Sequence, residues 1–249
     1  MILLYICCLF GLSAGLLIGA AGIGGVILVP LLVYVAGIDI HTSIAASVAA
    51  FFVSGLVGTV TYSQRGVIRW LDFVAVSAGA IPGALLGAFV LPKIEPYILT
   101  LFIALVLIVS AIKQLTGAKN SNLSRPTRNT PKYQLAFVGL VTGFLSVLSG
   151  TGGPLVLLPF LNLLSTPLIT AIGLSQVIQL PIATFASIGN AVNSLIDWEL
   201  VMVLSFGLAL GSYIGAKGSE RLPINYIKTL VSILLLLSGA YMVISLLFT

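Results

Sequence analysis

The chain has 249 residues, 59% of them hydrophobic and 7% charged, with a mean hydropathy of +1.21. A soluble domain carries about 25% charged residues, so this composition excludes an ordinary water-facing fold and makes the bilayer the solvent. The formal net charge of +5 comes from basic residues scattered between apolar runs, with one cluster at 113–132, a pattern of membrane topology rather than of nucleic-acid binding.

The apolar runs are long and continuous rather than alternating, so the spanning elements are predicted as helices and not barrel strands. The first apolar stretch, 2–37, is interrupted by "GAAGIGG" at 19–25. Glycine costs roughly 1 kcal/mol in a helix interior relative to alanine, so the interruption needs a reason. Residues 2–18 and 24–37 are each short for a crossing. Two short spans, a hairpin that enters and leaves on one side, and a single kinked crossing are the alternatives. Cys7 and Cys8 are the only cysteines and read as apolar filler, with no CxxC, disulfide framework or metal spacing. Residues 1–10 carry no Lys or Arg, so the stretch lacks the basic start of a secretory signal and is expected in the mature protein. Three spans follow at 43–63, 71–91 and 96–115, each close to the ~20 residues that cross hydrocarbon. "KQLTGAKNSNLSRPTRNTPKY", 113–133, reads as a solvated linker. A second Gly-interrupted stretch, 134–165, carries "SGTGG" at 149–153, and spans at 168–190, 199–219 and 224–247 complete the chain.

The two sides of the linker match at an offset of 128. Gly11 pairs with Gly139, Gly15 with Gly143, and Gly22, Gly24 and Gly25 with Gly150, Gly152 and Gly153. Thr42 pairs with Thr170, Ser47 with Ser175, Trp70 with Trp198, and Gly79, Gly83 and Gly87 with Gly207, Gly211 and Gly215. If the Gly-interrupted stretch makes no net crossing, Arg65, Arg69, Lys113, Lys119, Arg125, Arg128, Lys132, Lys217, Arg221 and Lys228 share one side and only Lys93 falls opposite. If it crosses once, the split is seven to four. The positive-inside rule favours the first arrangement, which makes an odd unit and turns the second copy upside down. The expected fold is an all-α polytopic membrane protein of two inverted repeats, each a Gly-broken short-helix hairpin plus three transmembrane helices. Residues 1–115 form the first repeat, 116–132 a cytoplasmic basic linker and 133–249 the second repeat, with both termini outside.

Each glycine break precedes a predicted helix start, near residues 24–26 and 152–154. Unpaired N–H groups and the positive end of the helix dipole would point into each break, an anion site that needs no charged side chain. Gly22, Gly24, Gly25, Gly150, Gly152 and Gly153 would admit the ligand to the backbone, and Ser149 and Thr151 would add hydroxyls. Close helix packing is the competing reason for such glycines. It is the preferred one for the ridges Gly79–Gly83–Gly87 and Gly207–Gly211–Gly215. Trp70 and Trp198 are expected at membrane interfaces. Gln176 and Gln179 share a helix face at i, i+3 and can donate to an oxyanion. Ser47 and its partner Ser175, with Thr42, Ser43, Ser54, Asn190 and Asn193, are the other polar residues of these spans. No acidic or basic residue falls well inside a span, and His41, the only histidine, lies at the outer end of its own. No Ser/His/Asp set, paired acids or metal-ligand cluster is present in the sequence, so no enzyme, metal or cofactor is predicted.

These residues resemble the TauE/SafE family of bacterial membrane transporters, the sulfite exporter-like anion permeases. The resemblance lies in "GLSAGLLIGAAGIGGVILVPLL" (11–32) with "TSIAASVAAFFVSGLVGTVTYSQRGVIRW" (42–70), and in "GLVTGFLSVLSGTGGPLVLLPFL" (139–161) with "IGLSQVIQLPIATFASIGNAVN" (172–193). It implies transport of sulfite, thiosulfate, sulfoacetate or similar anions across the bacterial inner membrane. It also implies candidate site residues at Gly22, Gly24, Gly25, Gly150, Gly152, Gly153, Ser47, Ser175 and Gln176. The second copy departs from the first, with Gln176 and Gln179 where the first has Val48 and Phe51, so a lopsided site is expected. The predicted protein is a secondary transporter that rocks one repeat against the other, coupled to an ion gradient. Its partners are a small anion and the lipid bilayer but no nucleic acid, and a homodimer is left open. A channel and a non-transporting scaffold are the alternatives.

Overall fold

A computed structural model describes residues 2–21, 25–117, 130–164, 166–218 and 224–247. In the first half these are helices α1 (Ile2–Ala21), α2 (Leu28–Tyr34), α3 (Ile40–Gln64), α4 (Trp70–Val90) and α5 (Pro96–Gly117). The second half holds α6 (Lys132–Ser149), α7 (Pro154–Leu163), α8 (Leu168–Val177), α9 (Gln179–Val192), α10 (Trp198–Gly218) and α11 (Ile224–Leu247). One 3₁₀ turn, Gly25–Ile27, leads into α2, and another, Leu91–Lys93, follows α4. Among the described residues, seven segments are long and apolar enough to cross a membrane. Their outer faces are apolar too: Phe52, Leu56 and Val60 along α3 and Leu101, Leu105 and Val109 along α5 are exposed, which suits contact with lipid rather than water.

The Gly-interrupted stretches differ from expectation. Residues 2–18 read as short for a crossing, with a short span among the alternatives; α1 runs unbroken for 20 residues, about 30 Å at the rise of an α-helix. Its glycines do not break it because they are packed. A methyl on Gly11 would reach the carbonyl oxygen of Leu204 at 2.7 Å, and one on Gly15 that of Leu208 at 2.7 Å. The close approach to α10 offsets their poor helix propensity. The elements that follow are the short ones. α2 has 7 residues and α7 has 10, so α7 covers about 15 Å, half the hydrocarbon thickness.

Contacts at the glycine ridges fix the direction of each helix. Methyls on Gly79, Gly83 and Gly87 of α4 would strike the carbonyl oxygens of Ala136, Leu140 and Phe144 in turn, so α4 and α6 run the same way. Gly207, Gly211 and Gly215 meet Cys8, Leu12 and Leu16, so α10 and α1 do likewise. The middle of α8 lies beside the turn that leads into α4, with Gly173 against Val67 and Ile68. The end of α9 lies beside the end of α4, with Gly189 against Ala88. α8–α9 therefore parallels α4 and α6, and α7 must run back between α6 and α8. Along α3 the order reverses: Gly55 faces Gln179, Gly58 faces Gln176, and Tyr62 faces Gly173. Elements recur at an offset of 128, and exchanging the halves carries the α1–α10 contact onto α6–α4 and the α3–α9 and α5–α11 contacts onto themselves.

The exchange is imperfect at one point. The predicted single span 168–190 is two helices with a turn at Ile178. Pro181 has no N–H for the Val177 carbonyl, and its ring crowds that oxygen. The equivalent α3, with valine at 53, is continuous. Outside the core, Asp39 caps α3 by accepting from His41 N–H at 2.9 Å and Thr42 N–H at 3.2 Å. His41 Nε2 lies 2.9 Å from the Ile94 carbonyl oxygen, tying α3 to the turn after α4. Trp70 and Trp198 begin α4 and α10 and are exposed.

Candidate functional site

The second break is built entirely by glycine. α6 stops because Gly150 turns left-handed, at φ +64°. Gly150 N–H then donates to the Val147 carbonyl (3.4 Å) and Thr151 N–H to that of Ser146 (3.1 Å), the bond pair of a Schellman turn. Gly152 at φ +72° and Gly153 at φ +119° keep the backbone where other residues are strained. Pro154 opens α7, where its missing N–H is harmless. Among the described residues the N–H groups of Gly153 and Leu155 have no backbone acceptor, as at the first turn of any helix.

The two breaks come together at one aromatic ring. A methyl on Gly25 would lie 2.5 Å from Phe51 Cζ, and one on Gly152 would lie 2.5 Å from Phe51 Cδ2. Phe51 is fully buried. Ile44, two turns earlier on α3, has its Cα 3.5 Å from the methyl position of Gly150. The α3 face that carries residues 44, 47 and 51 therefore lies on the second break. Ser47 is on that face, is 0% exposed, and its Oγ has no partner. A buried polar group left unsatisfied costs about 1–3 kcal/mol, so Ser47 is held there against its own solvation.

The other predicted hydroxyls are engaged. Ser149 Oγ donates to the Leu145 carbonyl (2.7 Å) and lies 3.0 Å from Thr151 Oγ1. With the Ser149 proton given to Leu145, Thr151 must donate to Ser149, so neither keeps a proton for an anion. Ser175 Oγ donates to the Ala171 carbonyl at 2.6 Å. Ser54 Oγ donates to Gln179 Oε1 (2.9 Å), and Gln179 Nε2 donates to Gln176 Oε1 (2.8 Å). Gln176 Nε2 reaches the Ile18 carbonyl only at 3.5 Å. The structure thus joins Gln176 and Gln179 to each other, packed into the notch left by Gly55 and Gly58. Gly22 and Gly24 lie outside the described residues. Of the predicted site residues, Gly25, Ser47, Ser149, Gly150, Thr151, Gly152 and Gly153 gather around the breaks; Ser175 is bonded within its own helix.

Sequence reasoning missed Phe51, Thr142 and Ser146. Thr142 and Ser146 are fully buried with no partner for their hydroxyls. With Ser149 they recur at i, i+4 and i+7, whereas their counterparts in the first half, Ala14, Ile18 and Ala21, are apolar; that contrast was the readable signal. Asn190 is also fully buried, with both amide atoms unpartnered. Among the described residues no group of three or more His, Cys, Asp or Glu could hold a metal. Replacing Asn190 with leucine, which has the same number and branching of side-chain heavy atoms, removes two unsatisfied atoms and is expected to raise the thermal unfolding midpoint in detergent. A lower midpoint would mean that an ordered water or ion pairs with the amide.

A family model described as "Sulfite exporter TauE/SafE" matches residues 7–242. The chain is 27% identical over 241 residues to the "Probable membrane transporter protein YdhB" of Bacillus subtilis, covering 93% of this chain and 95% of that relative. It is 30% identical over 193 residues to the "Probable membrane transporter protein y4hK" of Sinorhizobium fredii, covering 74% and 75%. A "Probable membrane transporter protein" of Xylella fastidiosa is 25% identical over 218 residues, covering 86% and 82%. No solved structure matches the chain.

Proposed function

The chain belongs to the TauE/SafE family and is a multi-pass membrane transporter, and on that premise we propose that it is a secondary transporter of a small anion. The substrate class is a sulfur oxyanion or small organosulfonate such as sulfite, thiosulfate or sulfoacetate. It moves across the bacterial inner membrane by alternating access coupled to an ion gradient. The observation that carries the anion is the unpartnered Ser47 hydroxyl on the α3 face whose Ile44 and Phe51 pack against Gly150 and Gly152, the turn that leads into α7. One free hydroxyl donor, N–H groups without a backbone acceptor and the positive dipole end lie at a turn whose three left-handed glycines carry no side chain of their own.

The helix directions support the transport mechanism. α6 and α8–α9 run one way with α7 returning between them, as a hairpin with no net crossing would. α3 and α8–α9 run oppositely, as halves of inverted orientation would, which agrees with the grouping of ten basic residues on one side and a cytoplasmic linker. The ridge contacts refine how it would move. α1 of the first half is locked to α10 of the second, and α4 of the first to α6 of the second. The bodies that rock are then these mixed pairs rather than whole repeats.

The test is flux in proteoliposomes, comparing sulfite, thiosulfate, sulfoacetate and taurine with and without an imposed proton gradient. Saturable uptake of one or more of the anions is expected. Ser47→Ala should raise the half-saturation concentration about ten- to a hundredfold, the loss of one hydrogen bond to a charged group. An unchanged half-saturation in that variant would remove Ser47 from the site, and no flux of any anion would sink the proposal.

A further inference from the structure

We infer that the Phe51 ring is the barrier between the two glycine breaks and sets the upper size of the anion that passes them. This rests on the transport reading above and adds a residue role to it. The ring lies lengthwise between two backbones, its base against Gly152 and its tip against Gly25. Neither backbone has room for a side chain while the ring is there, so the gap it fills is one ring long.

Polar groups stand on either side of it along α3. One turn before Phe51 is the unpartnered Ser47 hydroxyl; one turn after it is Ser54, bonded to Gln179 and through it to Gln176. An anion passing from the Ser47 side to the glutamine side meets a fully buried apolar ring, which offers no donor and must swing away. The repeat makes the choice of residue informative. Position 51 corresponds to 179, so the same place in the other half holds a glutamine, and that glutamine is turned aside into the Gly55–Gly58 notch. The chain therefore places one apolar blade, not two, at the crossing of α3 and α9. A ring that sweeps out of a gap of fixed length admits anions that fit the vacated space and excludes longer ones.

The experiment measures flux of sulfite and of benzenesulfonate in proteoliposomes holding wild-type protein, Phe51→Ala, Phe51→Leu or Phe51→Trp, with elution profile and thermal midpoint recorded for each. Phe51→Ala should raise the benzenesulfonate-to-sulfite flux ratio by about tenfold or more, the scale on which pocket size discriminates. Phe51→Leu should give an intermediate ratio and Phe51→Trp should lose flux while still eluting as folded protein. If Phe51→Ala does not fold, the Phe51→Leu ratio decides. A folded variant with an enlarged gap and the wild-type ratio would overturn the role of Phe51 while leaving transport intact. Failure of the wild-type protein to move sulfite or any other oxyanion would instead overturn the transport reading.

Discussion

Gly152→Val is expected to abolish flux and to lower the thermal midpoint sharply. Two independent costs fall on this one atom group. The backbone at φ +72° disfavours any L side chain by roughly 1–2 kcal/mol, and a β-branched one by more. The first carbon of the side chain would also sit 2.5 Å from Phe51 Cδ2, and overpacking a filled core costs about 1–3 kcal/mol. The sum, about 2–5 kcal/mol and more for a β-branched side chain, is a large share of the stability of many proteins, about 5–15 kcal/mol. Gly152→Ala separates the two terms. Alone it should be destabilised by both; combined with Phe51→Leu it should recover the packing part and keep the backbone part. Thermal unfolding of the single and double variants checks this. An alanine variant as stable as the wild type, with full flux, would mean that neither the left-handed turn nor the ring contact constrains the break.

Much of the architecture was written in residue types. The 128-residue offset and the glycine ridges each rest on a physical need that leaves a mark in sequence. Close backbone approach demands glycine at every fourth residue, and lipid demands apolar runs of a set length. What the sequence could not separate was break from packing. Gly11, Gly15 and Gly19 look like Gly150, Gly152 and Gly153 by composition; only the neighbour, an α10 backbone in one case and a left-handed turn in the other, tells them apart. The site was legible in the same partial way. Ser47 was visible as a polar residue in a span, but whether a hydroxyl keeps its proton depends on a carbonyl within reach. Ser149 and Ser175 have one and Ser47 does not. Phe51 was invisible because an aromatic residue in an apolar span is ordinary until its two neighbours are seen to be the two breaks.

Gly79→Leu should cost about 3 kcal/mol or more and leave little folded protein, the largest effect expected away from the breaks. In water, helices of this kind would be pressed together by the hydrophobic effect. In lipid the tails are as apolar as leucine, so association rests on packing distance, and small residues set it. At Gly79 a methyl would overlap the carbonyl oxygen of Ala136. That atom is backbone, so no rotamer change can make room, and α4 must retreat from α6 along the whole ridge of Gly79, Gly83 and Gly87. Gly211→Leu poses the same problem on the opposite pair, against the Leu12 carbonyl of α1, and should fail to a similar degree because the two ridges occupy equivalent places in the repeat. Leu86→Ala, on the exposed face of α4, is the control and should shift stability by no more than ~0.5 kcal/mol. The fraction eluting as folded protein and the thermal midpoint read all three. A tolerated Gly79→Leu would show that α4 and α6 can part without loss of fold. The rocking bodies would then be the repeats themselves and not the α1–α10 and α4–α6 pairs, because a pair that separates freely cannot act as a rigid unit.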